Sequence, residues 1–587
     1  MSDFKLGNFC IDDARPVKVV VIGAGYSDRY WVLNSDISLR QKVKNIDLTI
    51  YEARDDVGGT WVANRYPGLA CDIPSHCYQL TFENKKDWSK FYAPGPEIQG
   101  YIRGVVDKYK LNPFIKLGHH ITGIRYDEAA GKWKISVVKR GEQETDIRTE
   151  DVADVLLSAV GNLRIPAWPD IQGIDTFQGE LIHSAEWHTR EGEGAWEDTV
   201  KTWNEKRVGV IGVGSSGIQI VANLQPRVKS LVNYVRGKTW ISGTFLSEEQ
   251  SELSGGIETP NCALFFHLYL HRSVTYALRS DAFTEEDFER FKDDRVYQEW
   301  RRSLESHLNV AHLATMKDHP VQHKVREAFR QDMIKRLAKK PWIANHIIPD
   351  FAVACRRLTP GPGYLEALCQ DNCDFVPTPI KRILPTGIET VDGKIQELDV
   401  IVCASGFDTS CKYGIPIIGR NGVDLADKYT PYPRTYLGVA VDGFPNFFHV
   451  FGPNSSVAAG SLLLVIERQA EYIVQAVLKI QRERLKSMEV KVEAIDDFYQ
   501  YSEGYFPKTS FSEKCRAWYK VNKAESELVC FFPRPGSPLH AVKALQHPRW
   551  EDFNYETLDG DPNNRFYFLG DGNTAADVDP EEDSTVL

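Results

Sequence analysis

Val208-Gly209-Val210-Ile211-Gly212-Val213-Gly214-Ser215-Ser216-Gly217-Ile218-Gln219 is a short apolar run that breaks into a glycine-rich turn. A strand that feeds such a turn and then a helix is a pyrophosphate cradle. The glycines let the backbone approach the phosphates, and the helix N-terminus supplies N–H donors and positive dipole. An earlier copy stands at Gly23-Ala24-Gly25, after the run Val19–Ile22. Two cradles in one chain imply two dinucleotides, and two dinucleotides imply electrons passed between them.

The strands that follow each cradle differ at their ends. Ile46–Tyr51 closes on Glu52, whose carboxylate suits the ribose hydroxyls of an adenosine. Ser230–Val235 closes on Arg236, followed by Gly237 and Lys238. A guanidinium there suits an adenosine 2′-phosphate, so the second cradle is expected to prefer NADP over NAD. Gly58-Gly59-Thr60-Trp61 forms a further tight turn, and Tyr66–Pro74 reads as a binding loop. Further strands are expected over Ala153–Val160, Leu398–Cys403 and Phe444–Phe451, and a helix over Leu462–Gln481.

Composition excludes other classes. The 587 residues carry 70 basic and 81 acidic side chains, a net charge of −11, which is the wrong sign for a nucleic-acid binder. No apolar run reaches the 18 or so residues of a membrane span, and the N-terminal stretch has no apolar signal core. A cytoplasmic protein is expected. The 11 cysteines are an odd count with no C-x-x-C pair, and they are read as reduced thiols. Cys369 with Cys373 and His267 with His271 have spacings that suit one helix face, but packing explains them better than a metal. Phe265–Tyr276 is expected as a buried helix or a lid.

Between the cradles lies Phe177-x-Gly179-x-x-x-His183-x-x-x-Trp187. This resembles the signature of the Baeyer–Villiger monooxygenases, with a close variant in N-hydroxylating and flavin-containing monooxygenases. The resemblance extends to Gly58–Trp61, Pro67–Asp72, Cys355-Arg356-Arg357 and Trp518-Tyr519. It implies an α/β fold of two Rossmann-like dinucleotide-binding domains, for FAD and NADPH, with a helical insertion. The expected order is an FAD half at 17–160, the NADP domain at 161–243, helices at 244–345 and the rest of the NADP domain at 346–397. The FAD domain and a C-terminal segment return at 398–549, and an acidic, disordered tail follows at 550–587.

The implied chemistry is a two-electron relay. NADPH reduces FAD, the reduced flavin activates O2, and one oxygen atom enters a ketone to give an ester or lactone. By position, Arg357 is the catalytic guanidinium and Asp72 its carboxylate partner near the flavin. Gly23, Gly25, Glu52, Thr60, Trp61, Cys71, Asp72, Tyr78 and Ile121 are expected around FAD. Gly212, Gly214, Ser215, Ser216, Gly217, Ile218, Gln219, Arg236, Gly237, Arg356 and Trp518 are expected around NADPH. Ala70 stands where related chains often carry arginine, so a phosphate contact is either missing or supplied elsewhere. His183 and Trp187 are expected on one helix face at the domain junction, with His183 not catalytic.

One position breaks the pattern. The third glycine of the first fingerprint is Asp28, and the first unit is longer than the second by residues within Asp28–Asp36. A gene-model error, a true insertion with Asn34 or Ser35 as a late helix cap, and loss of FAD all account for it. N- or S-oxygenation and a nucleotide-binding protein without turnover therefore stand beside ketone oxidation.

Overall fold

Five of the six residues in Val17–Ile22 are β-branched, and such side chains pack well on a pleated surface. All but Lys18 are buried, as in a strand covered on both faces. The computed structural model describes residues 5–26, 43–140, 146–187, 195–242, 282–457, 459–524, 527–530, 533–561 and 564–579. In it Val17–Ile22 is the centre of a parallel sheet. The strand order is Phe447–His449, Val155–Ser158, Val17–Ile22, Ile46–Tyr51 and Ile115–Lys116. Val17 stands opposite Ile46 and Ile22 opposite Tyr51.

A second parallel sheet repeats the plan. Its order is Cys373–Val376, Ser230–Tyr234, Arg207–Ile211, Val400–Cys403 and Glu180–His183. The strand at 400–403, expected to open the returning FAD half from 398, therefore belongs to the sheet of the second cradle. Its fully buried Val-Ile-Val-Cys run fits either sheet, and only the pairing of Val400 with Val208 decides. The two segments that join the sheets run side by side. Pro166 bridges Phe407, and the Asp408 amide donates to the Ile165 carbonyl at 2.8 Å.

In each sheet the chain leaves the central strand toward one side and later returns to the other. That reversal opens a crevice at the carboxyl ends of the strands, where ligands of open α/β sheets bind. Both glycine turns sit there. A Cβ on Gly23 (φ 106°) would lie 2.7 Å from the Ala159 carbonyl oxygen, on the neighbouring strand's exit. A Cβ on Gly212 (φ 122°) would lie 2.5 Å from the Ala404 carbonyl oxygen. Each turn needs a residue without a side chain twice over, for its dihedral and for its clearance.

A mixed sheet of Ile417–Ile418, His119–Asp127, Lys132–Lys139 and Ile147–Ala153 lies beside the first. Its core is Trp133, fully buried, with the indole N–H donating to the Pro445 carbonyl at 2.8 Å. The helix Leu462–Arg482 packs an apolar face into the core of the first sheet. Its buried Glu467 accepts from the Thr81 amide and hydroxyl, both at 2.9 Å, and so ties down the loop that carries the site.

Of the stretch expected as a helical insertion, residues 282–345 are described, and Phe265–Tyr276 with His267 and His271 lies outside the described residues. Asp294–Val310 sends Tyr297, Trp300, Leu304 and Leu308 into the core of the first sheet. Pro320–Arg336 sends Phe329 and Met333 into the core of the second. The 550–587 stretch, expected to be disordered, is ordered over much of its length. Phe553–Thr557 pairs antiparallel with Leu485–Val490, and Tyr567 packs edge-on to Phe9. Its acidic average hides the aromatic residues that anchor it. Cys369 caps the helix Tyr364–Leu368 while Cys373 opens a strand, so the pair shares no helix face. Among the described residues no helix is long and apolar enough to cross a membrane.

Trp133→Ala is expected to lose about 3–5 kcal/mol, by cavity formation and an orphaned carbonyl. Urea denaturation followed by circular dichroism measures it.

Candidate active site

Gly58 (φ 134°) and Gly59 (φ 56°) turn the chain back over the first cradle. The Gly58 amide donates to the Ala24 carbonyl at 2.9 Å, and a Cβ on Gly59 would lie 2.9 Å from Gly25 Cα. Two glycine turns thus meet backbone to backbone, where a side chain on Gly59 would part them. Glu52, buried, accepts the Ala24 amide at 2.7 Å and the Arg54 amide at 2.9 Å. Its carboxylate is held at the cradle's edge. Ile121 is buried nearby, in one core with Ile22 and Tyr51. Asp28–Asp36 lies outside the described residues.

The turn carries Thr60 and Trp61 toward Tyr78. The Trp61 indole donates to the Tyr78 hydroxyl at 3.3 Å, with the rings edge to face. Burial holds the Tyr78 phenol in its protonated form, well above its ordinary pKa. Cys71 is buried next to it, and burial, then Asp72, push its thiol up. The loop is pinned from behind. The Cys71 amide donates to Ala93 at 3.0 Å and the Ser75 amide to Phe91 at 2.8 Å.

Arg357 reaches Asp72 across 285 positions of sequence. Its Nε donates to Asp72 Oδ2 at 2.9 Å and its Nη2 to Oδ1 at 2.8 Å. The fork is bidentate, the geometry in which a guanidinium is best fixed. Asp72 in turn holds Arg357 firmly in its charged form.

At the second cradle a Cβ on Gly217 would lie 2.7 Å from the Gly212 carbonyl oxygen, while nothing stands within 4 Å of a Cβ on Gly214. The first glycine is needed for helix packing and the second faces open space where a phosphate would come. Ser215, Ser216 and Ile218 begin the helix Ser215–Leu224, and the Ser215 hydroxyl meets that of Thr359 at 2.7 Å. Gln219 accepts from the Tyr66 hydroxyl at 3.0 Å and donates to the Ala70 carbonyl at 3.0 Å. Ala70 thus meets the second cradle through its backbone. Gly68 (φ 75°) lies against Asn223 of the same helix, so tightly that a Cβ would clash with its amide. This clasp sets the distance between the cradles.

Arg356 points away from Arg357. Its Nη1 donates to the Lys238 carbonyl at 2.6 Å and lies 3.5 Å from a Cβ placed on Gly237. It therefore joins Arg236 and Lys238 at the end of the strand Ser230–Tyr234. Burial draws its guanidinium below the ordinary pKa, and Arg516 adds repulsion. Trp518 is 37% exposed and stacks edge-on against Tyr519, whose hydroxyl donates to the Cys355 carbonyl at 2.6 Å.

Two expectations need correction here. His183 ends the strand Glu180–His183 and Trp187 follows a single 3-10 turn, so they share no helix face. His183 is fully buried beneath the paired linkers, against Trp168 and Phe407, and Trp187 packs on Trp203. Nor are all thiols reduced, because Cys355 and Cys515 form a disulfide. Thr359, Cys515 and Lys520 escaped the sequence reading, as did the contact that Tyr66 makes. Tyr66-Pro67-Gly68 carries a turn signal, but its partner lies 153 positions away.

Residues 16–251 match the family described as flavin-binding monooxygenase-like. The chain is 35% identical to the FAD-binding monooxygenase tazF of Aspergillus terreus, over 97% of this chain and 94% of that one. It is 30% identical to a Baeyer–Villiger monooxygenase of Pseudomonas aeruginosa, over 86% of each. A crystal structure of cyclohexanone monooxygenase from Rhodococcus sp. Phi1 bound to NADP+ superposes with a TM-score of 0.69. It is 26% identical, over 92% of this chain and 100% of that one.

The chain belongs to the FAD-binding monooxygenases of the Baeyer–Villiger type. These are enzymes that work with FAD and NADPH, and the monooxygenase's own geometry fits both. The Gly25–Gly59 contact leaves a side-chain-free rim for one pyrophosphate, and the open side of Gly214 leaves room for the other. Arg236, Lys238 and Arg356 would meet a 2′-phosphate.

Two outcomes follow from this geometry. Gly59→Ala should purify with little bound flavin, read as the ratio of visible to ultraviolet absorbance, while its circular dichroism stays native. Arg356→Ala should raise KM for NADPH roughly 10- to 100-fold, the worth of one charged hydrogen bond. Steady-state kinetics with NADH, which lacks the 2′-phosphate, should change little.

Proposed function

We propose that this monooxygenase inserts one oxygen atom from O2 into a ketone and releases an ester or lactone. The observation that carries the reading is the bidentate Arg357–Asp72 pair. Bound FAD, reduced by NADPH, supplies the activated oxygen. Negative charge builds on the ketone oxygen as an oxygen nucleophile adds to the carbonyl carbon. Arg357 meets it with a charge that no proton loss can remove. Asp72 fixes the fork in place before the reaction, so little reorganisation is spent in the transition state. The buried Trp61 and the half-buried Tyr78 wall the same site with rings that exclude water, and the protonated Tyr78 adds no competing anion.

The substrate's chemistry is read from the loops. Pro67–Tyr78 and Arg357–Leu368 most resemble fungal enzymes that oxidise polyketides in secondary metabolism. Residues 282–345 and the segment after Tyr505 come together at Met316, which bridges Thr509, and at Gly460, which lies against Asn309 and Pro538. Their contact supports the reading that both segments shape a ketone pocket.

The test gives FAD-loaded enzyme and NADPH a cyclic ketone and, separately, a thioether, and identifies the products by mass spectrometry. Ester or lactone from the ketone supports the reading. Sulfoxide alone would replace it with heteroatom oxygenation. Arg357→Ala should lower ester formation by about 10²–10³-fold, the effect of removing one preorganised charge donor. Anaerobic bleaching of its flavin by NADPH should continue.

A further inference from the structure

Cys355 and Cys515 stand 160 positions apart and are joined covalently in a place where the joining matters. Cys355 immediately precedes Arg356 and Arg357. Cys515 lies three residues before Trp518 and four before Tyr519. The bond thus ties the arginine loop to the segment that carries the Trp-Tyr pair. A second feature singles this pair out. The Lys520 ammonium lies 3.1 Å from Cys355 Sγ and 3.0 Å from Cys515 Sγ, held by the Glu513 carbonyl at 3.1 Å. A fixed positive charge beside a sulfur stabilises the thiolate, and the thiolate is the form that reacts with peroxides and disulfides.

Three thiols among the described residues contrast with it. Burial pushes Cys373, Cys403 and Cys411 up to about 12, which leaves them inert near neutrality. Access also differs between the two bonded sulfurs. Cys355 is fully buried, whereas Cys515 is 8% exposed and flanked by the exposed Lys514 and Arg516. Cys515 is therefore the sulfur that a small oxidant or a dithiol reaches first.

We propose that Cys355 and Cys515 are a reversible thiol-oxidation site whose state sets how firmly the Trp518-Tyr519 segment is held against the arginine loop. In the forward direction the Cys515 thiolate attacks hydrogen peroxide. One S–O bond forms, the O–O bond breaks, and with one proton the products are a sulfenic acid and water. The Cys355 thiol then displaces the hydroxyl from Cys515 as a second water, and the S–S bond forms. Overall two thiols are oxidised by two electrons and one peroxide is reduced to two waters. A dithiol reverses this by exchange, becoming a cyclic disulfide itself.

Without the bond weaker ties remain, among them two hydrogen bonds between the loop and the segment. The Tyr519 hydroxyl donates to Cys355, and the Ala352 amide donates to Glu513 Oε2 at 2.6 Å. The segment then stays seated but is no longer locked. The consequence for NADPH rests on the reading above that Arg356 and Trp518 border the nicotinamide cofactor.

The experiment uses the FAD-loaded full chain, either reduced with dithiothreitol or oxidised with hydrogen peroxide. Free thiols are blocked with N-ethylmaleimide and the peptides are mapped by mass spectrometry. The oxidised sample should contain a cross-linked peptide joining Cys355 and Cys515, absent after reduction. Lys520→Met should slow peroxide-driven closure roughly tenfold near pH 7, as expected for loss of a thiolate-stabilising charge. Reduced protein should show KM for NADPH raised roughly fivefold or more in anaerobic flavin bleaching, at the low end of site-to-site coupling. Cys515→Ser should match the reduced protein under both treatments. Should that variant not fold, wild type reduced and blocked with N-ethylmaleimide serves in its place.

Absence of the cross-link after peroxide, or equal KM for NADPH in the two states, overturns the proposal. Neither readout needs a ketone. A bridge that cycles and moves KM in an enzyme that makes no ester would leave this inference standing and remove the ketone reading alone.

Discussion

Two backbone turns pass so close to a neighbouring strand's exit that no side chain fits between them. Gly23 lies under the Ala159 carbonyl and Gly212 under the Ala404 carbonyl, each at the point where its sheet reverses direction. Everything in the site is measured from these two places. They bring a helix start or a second turn to the crevice, and they leave the rim free of side chains where a pyrophosphate must lie. The repetition is structural as well as sequential, since the same strand relation underlies both.

Two such crevices do nothing for each other unless their separation is set. The loop Tyr66–Asp72 does this with short polar contacts to the helix Ser215–Leu224, through Tyr66, Gly68 and Ala70. The same loop ends in Asp72, which receives Arg357 from the far side. One loop therefore spaces the cradles and holds the charge. Arg356 and Arg357 are neighbours in sequence with different partners. One turns to the Lys238 carbonyl, the other to Asp72. The helices after Phe283 reinforce the arrangement, because they place aromatic residues in both cores rather than forming one of their own.

Much of this was legible in the chain. Apolar runs that end in glycine gave away the central strands, since parallel strands buried on two faces have a composition that few other segments share. The helix Leu462–Arg482 followed from its long amphipathic pattern. Strand membership was less legible. Val400–Cys403 is apolar throughout, and an apolar strand carries no mark of which sheet it joins. The ordered segment around Phe553 was masked by its acidic neighbours, because average charge says little about a few anchoring rings.

The sequence by itself determined that there are two nucleotide cradles, which of them ends in an acid and which in a base, and which arginines are candidates for the chemistry. The cradles and the ends of their strands follow from local rules, where glycine, β-branching and charge act within a few residues, whereas the arginines follow from the resemblance to the family. The resemblance implied an Arg357–Asp72 pair and put Arg356 with NADPH, but only the tertiary structure supplied their contacts, and it alone bonded Cys355 to Cys515. Each of those contacts spans more than a hundred positions. Their partners are chosen by the packing of whole sheets, and local pattern holds no record of that choice.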